Sequence, residues 1–311
     1  MNKYRMRSGF SLIRNGERLG YPYKEALLSL APLVDELVVA HGDSTDNTGA
    51  ELEALRPLLK CPLKIINSPW DPSSLKGGLE LSRQTNIALD ACSHDVCVYI
   101  QADEILHEDE YPTFMRDLAR FEKDLSVDAL AFQWIHFYGN YQTIIESRKW
   151  YRREIRAVRR SSGIRSFLDA QGFRIPDGSP RWKKPRGAVS LAHYRHYGWV
   201  RNPVEMAKKN SEFHTLWHGK DHNLHTLPSE VYPPLYGMKQ YFGQHPLVMQ
   251  SRVKELKAFD PFFGKKLHFH PKHLLYSLSQ FLEDFFDWRP GEFRNFVPVE
   301  TYDENATYKF S

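Results

Sequence analysis

The sequence predicts an α/β protein with a mostly parallel central sheet and flanking helices. Two observations predict it. Strand-like and helix-like segments alternate as βαβαβαβ over the first third of the chain, an order that gives parallel strands with right-handed crossovers. Two acidic loops, "HGDSTDNT" (41–48) and "QADE" (101–104), each end a strand-like run. In such sheets ligands bind beyond the carboxyl ends of the strands, so both loops land on the functional edge.

Taken in order, "GFSLI" (9–13) reads as a buried strand and "YPYKEALLSLAPLV" (21–34) as an amphipathic helix. "ELVVAH" (36–41) is a second strand, "NTGAELEALRPLLK" (47–60) a second helix and "LKIINS" (63–68) a third strand. The helix "GGLELSRQTNIALDAC" (77–92) can gather Leu81, Ile87, Ala88 and Ala91 on one apolar side. "DVCVYIQ" (95–101) is a fourth strand. From about residue 126 the pattern changes: "VDALAFQWIHFYGNYQTI" (127–144) carries long β-rich runs, more like antiparallel strands. "RKWYRREIRAVRRSSGIR" (148–165) sets eight basic residues against one Glu. The remainder is rich in His, Pro and aromatics, with an amphipathic helix near 272–287. Two regions are expected, 1–202 and an irregular, helical extension over 203–311.

The 311 residues suffice for one large domain or two modest ones. With 41% hydrophobic and 26% charged residues, the chain has the composition of a soluble globular protein. A net charge of +4 and a pI near 8.8 suit anionic small molecules or an anionic membrane surface without demanding nucleic acid. Cys61, Cys92 and Cys97, odd in number and without a CxxC pair, argue against a disulfide framework or zinc site and for a reducing, cytoplasmic setting. No signal peptide is expected at the start, and no run reaches the roughly 18 apolar residues of a membrane span. Membrane contact would therefore be peripheral, at the inner face.

Asp103 and Glu104 end the fourth strand, where a carboxylate can bridge protein, a hard cation and phosphate oxygens. The alternative is a solvated acidic turn, since "HEDE" follows closely. Asp43 and Asp46 can accept hydrogen bonds from a base or ribose hydroxyls, or cap the helix that follows.

The ordered set "GFSLIRNGERL", "VDELVVAHGDSTDNT", "LSRQTNIALDAC" and "VYIQADEIL" resembles a family 2 glycosyltransferase of the GT-A fold. The resemblance covers residues 8–110 well and reaches more loosely to about 200. Asp43, Ser44, Asp46 and Thr48 match the family's turn after the second strand. Gln101-Ala102-Asp103 stands where a D-x-D metal motif is expected. Gln101 departs from it and adds no charge, so metal binding would be weaker or dispensable, with Gln101 contacting ribose or phosphate and Glu104 a substitute ligand.

The resemblance implies a nucleotide-sugar donor, UDP-linked first and GDP- or CDP-linked as alternatives, with Mn²⁺ or Mg²⁺ at Asp103. It implies an inverting single displacement with a general base, for which Asp169 in "SFLDAQGF" is the candidate and Glu146 the runner-up. His196 is a candidate late metal ligand. His193 competes, but odd spacing in a strand lets at most one of the two point inward. Arg14, Lys76 and Arg83, near strand or helix ends, are candidates for the phosphates. One or two of Arg152, Arg153, Arg156, Arg159 and Arg160 are expected to contact phosphate or an anionic acceptor, the rest to form ion pairs. His214, His218, His222 and His225 read as structural or acceptor-site residues, lacking the Glu of H-E-x-x-H. The expected acceptor is a cell-surface glycan or a lipid-linked sugar, with 203–311 shaping its groove or a subunit contact. The competing classes are a nucleotidyltransferase and a non-catalytic sugar- or nucleic-acid-binding protein. The first would carry a Gly-rich basic loop that "LIRNGERLG" does not match; only Gln101 points to the second.

Overall fold

The computed structural model describes residues 6–74, 76–218, 227–256, 260–262, 264–266, 271–286, 288–289, 292, 294–302 and 307–309. The first third alternates as expected: β1 (Arg7–Ile13), α1 (Tyr23–Leu30), β2 (Glu36–His41), α2 (Thr48–Leu55), β3 (Leu63–Asn67), α3 (Leu79–Asp90) and β4 (Val96–Tyr99). Both α1 and α2 stop short of the sequence expectation. Each passes into a single 3₁₀ turn, Ala31–Leu33 and Arg56–Leu58, at Pro32 and Pro57. A proline removes the N–H that the next α-helical bond needs and crowds the preceding turn.

The middle of the chain adds β5 (Glu104–Leu106), α4 (Tyr111–Lys123), β6 (Ala129–Tyr138), β7 (Thr143–Ile145), β8 (Arg153–Arg159), β9 (Arg165–Phe167), β10 (Gly172–Arg174) and the long β11 (Arg186–Trp199). The rest holds α5 (Pro203–His218), β12 (Met238–Gln240), α6 (Gln250–Glu255), α7 (Lys272–Phe286), β13 (Val297–Tyr302) and β14 (Thr307–Lys309). Strands run in the order β14-β13-β11-β6-β8-β4-β1-β2-β3. β3, β2, β1 and β4 are mutually parallel. β8 is antiparallel to both β4 and β6, while β6 is parallel to β11. The β-rich middle is therefore mixed rather than antiparallel throughout. The segment after residue 203 is helical over α5, α6 and α7, yet it returns to the central sheet, where β13 lies parallel to β11.

The central strands are buried on both faces, which explains their unbroken apolar runs. Side chains alternate between two cores with a period of two. Leu37, Val39, Val96 and Val98 join the core under α1 and α4, with Leu27, Leu30, Phe114 and Leu118. Val38, Ala40, Cys97 and Tyr99 join the other, with Ala88 and Leu89 of α3. On α3 the buried side is Ser82, Thr85, Ala88 and Leu89; Leu81, Ile87 and Ala91 are only half-buried at its flank. The apolar side expected from the sequence is thus rotated, because Thr85 reaches the Tyr99 hydroxyl beneath the helix at 3.2 Å.

Candidate active site

Parallel β1, β2 and β4 deliver three loops to one edge of the sheet. Arg14 and Asn15 follow β1, Gly42 to Thr48 follow β2, and Gln101 to Asp103 follow β4.

The hydroxyl-rich turn after β2 is tied to the loop after β1. Ser44 Oγ accepts from the Asn15 N–H, Asn15 Oδ1 accepts from the Thr45 N–H, and Thr48 Oγ1 accepts from the Glu17 N–H. Asn15 is buried in the left-handed region, φ 51°, a conformation asparagine tolerates better than most residues. Asp46 spends both oxygens inside this knot. Oδ1 accepts from the Thr48 N–H at 3.0 Å and from its hydroxyl, and Oδ2 from the Arg18 N–H at 2.7 Å. Burial would raise the Asp46 carboxyl, but the Thr48 and Arg18 hydrogen bonds outweigh it and hold it below its ordinary value. Asp46 is thus spent within the turn that leads into α2.

Asp43 is different. Its side chain is half exposed, and Oδ1 meets Arg14 Nε at 2.9 Å and the Trp70 N–H at 3.4 Å. The Arg14 guanidinium lies 4.6 Å over the Trp70 ring. Gly42 lets these groups close up: a Cβ there would stand 2.6 Å from Trp70 Nε1 and 3.0 Å from Arg14 Cβ. Aromatic ring, guanidinium and carboxylate thus converge beside the turn after β2. Trp70 was not among the residues singled out from the sequence; an aromatic just beyond the third parallel strand is the signal that could have found it.

Asp103 follows β4 and is buried. Its Oδ2 faces His196 Nε2 at 3.8 Å and Lys209 Nζ, from α5, at 3.5 Å. Burial alone would raise the Asp103 carboxyl; Lys209, His196 and Arg201 together hold it below its ordinary value. Burial pushes the Lys209 ammonium down to about 7, Arg201 adds to the fall, and Asp103 opposes it. The tautomer of His196 follows from its neighbours. His136 Nε2 lies 2.7 Å from the Tyr151 carbonyl, which can only accept, so Nε2 carries the hydrogen. Burial, and then His196, push His136 well below its ordinary value, so it is neutral and its Nδ1 accepts from His196 Nδ1 at 3.1 Å. In its neutral form, which burial favours and Asp103 opposes, His196 then carries its lone pair on Nε2, the nitrogen that faces Asp103. Gly198 makes room for the pair: a Cβ there would stand 2.4 Å from His196 Nε2 and 2.6 Å from Asp103 Oδ2. His193 points elsewhere, to Glu110 at 3.3 Å.

A carboxylate and an imidazole lone pair on adjacent positions are a donor set that suits a divalent cation completed by phosphate oxygens. Among the described residues no third His, Cys, Asp or Glu joins them. Glu104 does not: it is wholly buried, and the Arg156 guanidinium grips both its oxygens at 2.7 and 2.9 Å. A carboxylate in that position needs a cationic partner, and Arg156 reaches it from β8 more directly than any ion could. Gln101 faces another way, its Nε2 donating to the Ala170 carbonyl at 3.3 Å.

That bond ties the motif to the loop of Asp169. Leu168 and Ala170, on either side of Asp169, both have positive φ, 53° and 60°. Non-glycine residues in this region cost of order 1–3 kcal/mol each, and such strain gathers at functional sites. Gly78, before α3, backs the loop: its Cβ would stand 3.0 Å from Asp169 Cβ. Glu146 lies apart on the β7–β12 side, paired with Lys239.

The remaining phosphate candidates are placed as follows. Arg83 is bidentate to the buried Glu80 at 2.7 Å and so carries a neutralised charge. Lys76 falls in the one-turn segment Lys76–Gly78, and its side chain lies outside the described structure. Four of the five arginines weighed in the basic run are engaged within the protein, where ion pairs were expected for all but one or two of them. Arg152 pairs with Glu283 and Glu292, Arg156 with Glu104, and Arg159 with Asp95 while it donates to the Phe121 carbonyl; Arg160 donates to carbonyls of the α3 end. Burial drives this: each strand residue that faces the core needs a partner for its charge. Among the histidines after 213, His222 and His225 lie outside the described residues, as does the side chain of His218. Among the described residues no helix is long and apolar enough to cross a membrane.

Residues 24–175, just under half of the chain, match the family model described as glycosyl transferase family 2. No curated protein matches. Among solved structures, the chain is similar to S. aureus TarS 1–349 in complex with UDP-GlcNAc, with 24% identity over 43% of this chain and 36% of that one and a TM-score of 0.34. For TarS in complex with UDP the figures are 18% identity, 68% and 65%, and a TM-score of 0.39. For glucosyl-3-phosphoglycerate synthase from Mycobacterium tuberculosis, with Mg²⁺ and UDP, they are 21%, 43% and 44%, and 0.30. The chain thus spans about a third to two thirds of these solved chains.

Proposed function

We propose, from the match of residues 24–175 to the model of glycosyl transferase family 2, that the protein moves a sugar from a nucleotide-sugar donor to a hydroxyl of a glycan or lipid-linked acceptor. The observation that carries this reading is the convergence at one sheet edge of Asp103, the lone pair of His196 and the strained loop of Asp169. In it, Asp43, Arg14 and Trp70 hold the nucleoside, with UDP the first nucleotide to test and GDP and CDP after it. Asp103 and His196 would hold a divalent cation, Mn²⁺ or Mg²⁺, which would offset charge on the leaving diphosphate.

Asp169 is the base. It takes the proton from the acceptor hydroxyl as that oxygen bonds to the anomeric carbon, while the bond from that carbon to the diphosphate breaks and the diphosphate departs. One displacement inverts the anomeric centre. Glu146, engaged by Lys239, is the second candidate. Gln101 positions the base rather than touching substrate, through its hold on the Ala170 carbonyl. Residues 1–202 would bind donor and perform the chemistry. The extension from 203 would close the donor site through α5 and shape the acceptor side or a subunit contact. A cytoplasmic enzyme working at the inner membrane face fits a lipid-linked acceptor.

Thermal melting with UDP, GDP and CDP, with and without Mn²⁺, tests the reading: a ligand bound by the native state raises the melting temperature. No shift with any nucleotide would refute it. Asp103→Ala should lower donor hydrolysis or transfer by about 100-fold or more. Asp169→Asn should leave nucleotide binding intact and reduce turnover by about 100-fold or more; unchanged turnover would transfer the role to Glu146 or elsewhere.

A further inference from the structure

We propose that Lys209 is a resident cation that competes with a divalent metal for Asp103, and that the donor's diphosphate relieves the competition, so that nucleotide binding creates the metal site. The proposal rests on the glycosyltransferase reading for its nucleotide and on the structure alone for its competition.

One oxygen is contested. Asp103 Oδ2 faces the His196 lone pair at 3.8 Å and the Lys209 ammonium at 3.5 Å. A metal bound between Asp103 and His196 would stand against a buried like charge. No other carboxylate shares the load: Gln101 is neutral, and Glu104 belongs to Arg156. The local charge is instead cationic. Lys209 and Arg201, both buried, act on the single carboxylate of Asp103. Arg201 donates to the Leu19 and Gly198 carbonyls, yet its Nη2 is buried without a hydrogen-bond partner among the described residues. Buried donors of this kind are satisfied in nearly all native structures, so an unmatched guanidinium N–H points to an absent acceptor. A buried carboxylate faced by two cationic side chains, with an unmatched guanidinium N–H beside it, suits an anion before it suits a dication.

Lys209 is built to change partners. Its Nζ donates to the Gly198 carbonyl at 2.7 Å and lies 5.1 Å from the Tyr21 ring and 5.8 Å from the Trp199 ring. A four-carbon stem beside two aromatic faces lets the ammonium move from a carboxylate to a phosphate oxygen without leaving a cation-favouring lining. Once it moves, Asp103 Oδ2 and His196 Nε2 would be open to a divalent cation, for which phosphate oxygens are suitable further ligands. Metal and nucleotide affinities are then coupled, and by linkage each raises the other by the same factor.

Mn²⁺ titration followed by electron paramagnetic resonance of the free ion tests this on the full chain. UDP should tighten Mn²⁺ binding to the wild type by about tenfold or more, within the usual span of coupling between sites. Equal Mn²⁺ affinity with and without UDP, where UDP binds, overturns the proposal with no variant needed. Lys209→Met, with Lys209→Gln should Met not fold, should bind Mn²⁺ about tenfold more tightly than wild type before any nucleotide is added and should lose most of the UDP effect. Lys209→Arg, which keeps the charge, should behave as wild type. Identical Mn²⁺ affinity of the free wild type and both neutral variants overturns the competition. If the neutral variants gain Mn²⁺ affinity while no nucleoside diphosphate binds to any form, the competition stands and the glycosyltransferase reading falls.

Discussion

Single residues at this sheet edge divide between those that keep an exposed or shared polar atom and those whose polar atoms are spent on neighbours, and type alone does not separate them. Asp43 and Asp46 stand three apart in one turn, yet Asp43 is half exposed and Asp46 is used up by Thr48 and Arg18. Asp103 and Glu104 are adjacent, yet one meets His196 and Lys209 and the other is locked to Arg156. Breaking that second pair should damage the fold rather than the chemistry. Glu104→Gln leaves a fully buried guanidinium without its counter-charge, and the urea midpoint should fall by an amount equal to about 3–5 kcal/mol. Glu154 gives a pH signature. Burial pushes its carboxyl up to about 7, with Arg156 opposing, while an unfolded glutamate ionises near 4.5. At low pH the group is protonated in both states. Between about pH 4.5 and 7 only the unfolded chain loses the proton, so this contribution to stability falls as pH rises, by about 3 kcal/mol across the window. Melting temperatures of Glu154→Gln measured across that window should show a flatter slope than wild type.

At the scale of elements, the parallel strands act as placing devices. β1, β2 and β4 each end at a loop that carries a candidate ligand residue, and β11 brings His196 to face the end of β4. The contact between β11 and the β4 loop depends on Gly198. Gly198→Ala would push a methyl into His196 Nε2 and Asp103 Oδ2. Because both are buried, fixed side chains, donor turnover should fall by about 100-fold, and the melting temperature should fall too, since such overpacking costs about 1–3 kcal/mol; a fully active variant would remove the pair from the site. The apolar face of α7 is oriented outward: Leu274, Leu278, Phe281 and Phe285 are all more than half exposed, while Ser279 is buried. Leu278→Ser and Phe281→Ser should therefore shift stability by no more than about 0.5 kcal/mol, as checked by chemical denaturation.

For the whole molecule, the alternating order of the first hundred residues and the two loops at strand ends were legible in the sequence. Continuous apolar runs such as "ELVVA" and "VCVYI" require strands covered on both faces, and the covering helices carry matching apolar sides. The helix ends were less legible, since Pro32 and Pro57 had to be weighed against the surrounding apolar pattern. Which partners the arginines of the basic run find was not legible, although ion pairs were expected for most of them. Eight positive charges in one stretch look the same whether they face a ligand or a set of carboxylates and carbonyls drawn from residues 90 to 292. Lys209 and Arg201 were equally hidden, because nothing in "RNPVEMAKKN" shows that α5 folds back over the end of β4.

By itself the sequence determined the order of strands and helices, the sheet edge on which the loops gather, and Asp43, Asp103, Asp169 and His196 as the candidates to weigh. The order and the edge rest on local periodicity and on the rule that parallel strands present their carboxyl ends together, both of which neighbouring residues specify; Asp169 and His196 rest on the resemblance to family 2 glycosyltransferases. Only the tertiary structure decided which carboxylates keep an open oxygen, which way His196 presents its lone pair and which cation sits beside Asp103. Those outcomes depend on groups up to 182 residues apart in the chain, as Arg201 and Leu19 are, and on burial, which sets whether a charge must be matched internally or is left for a ligand to meet.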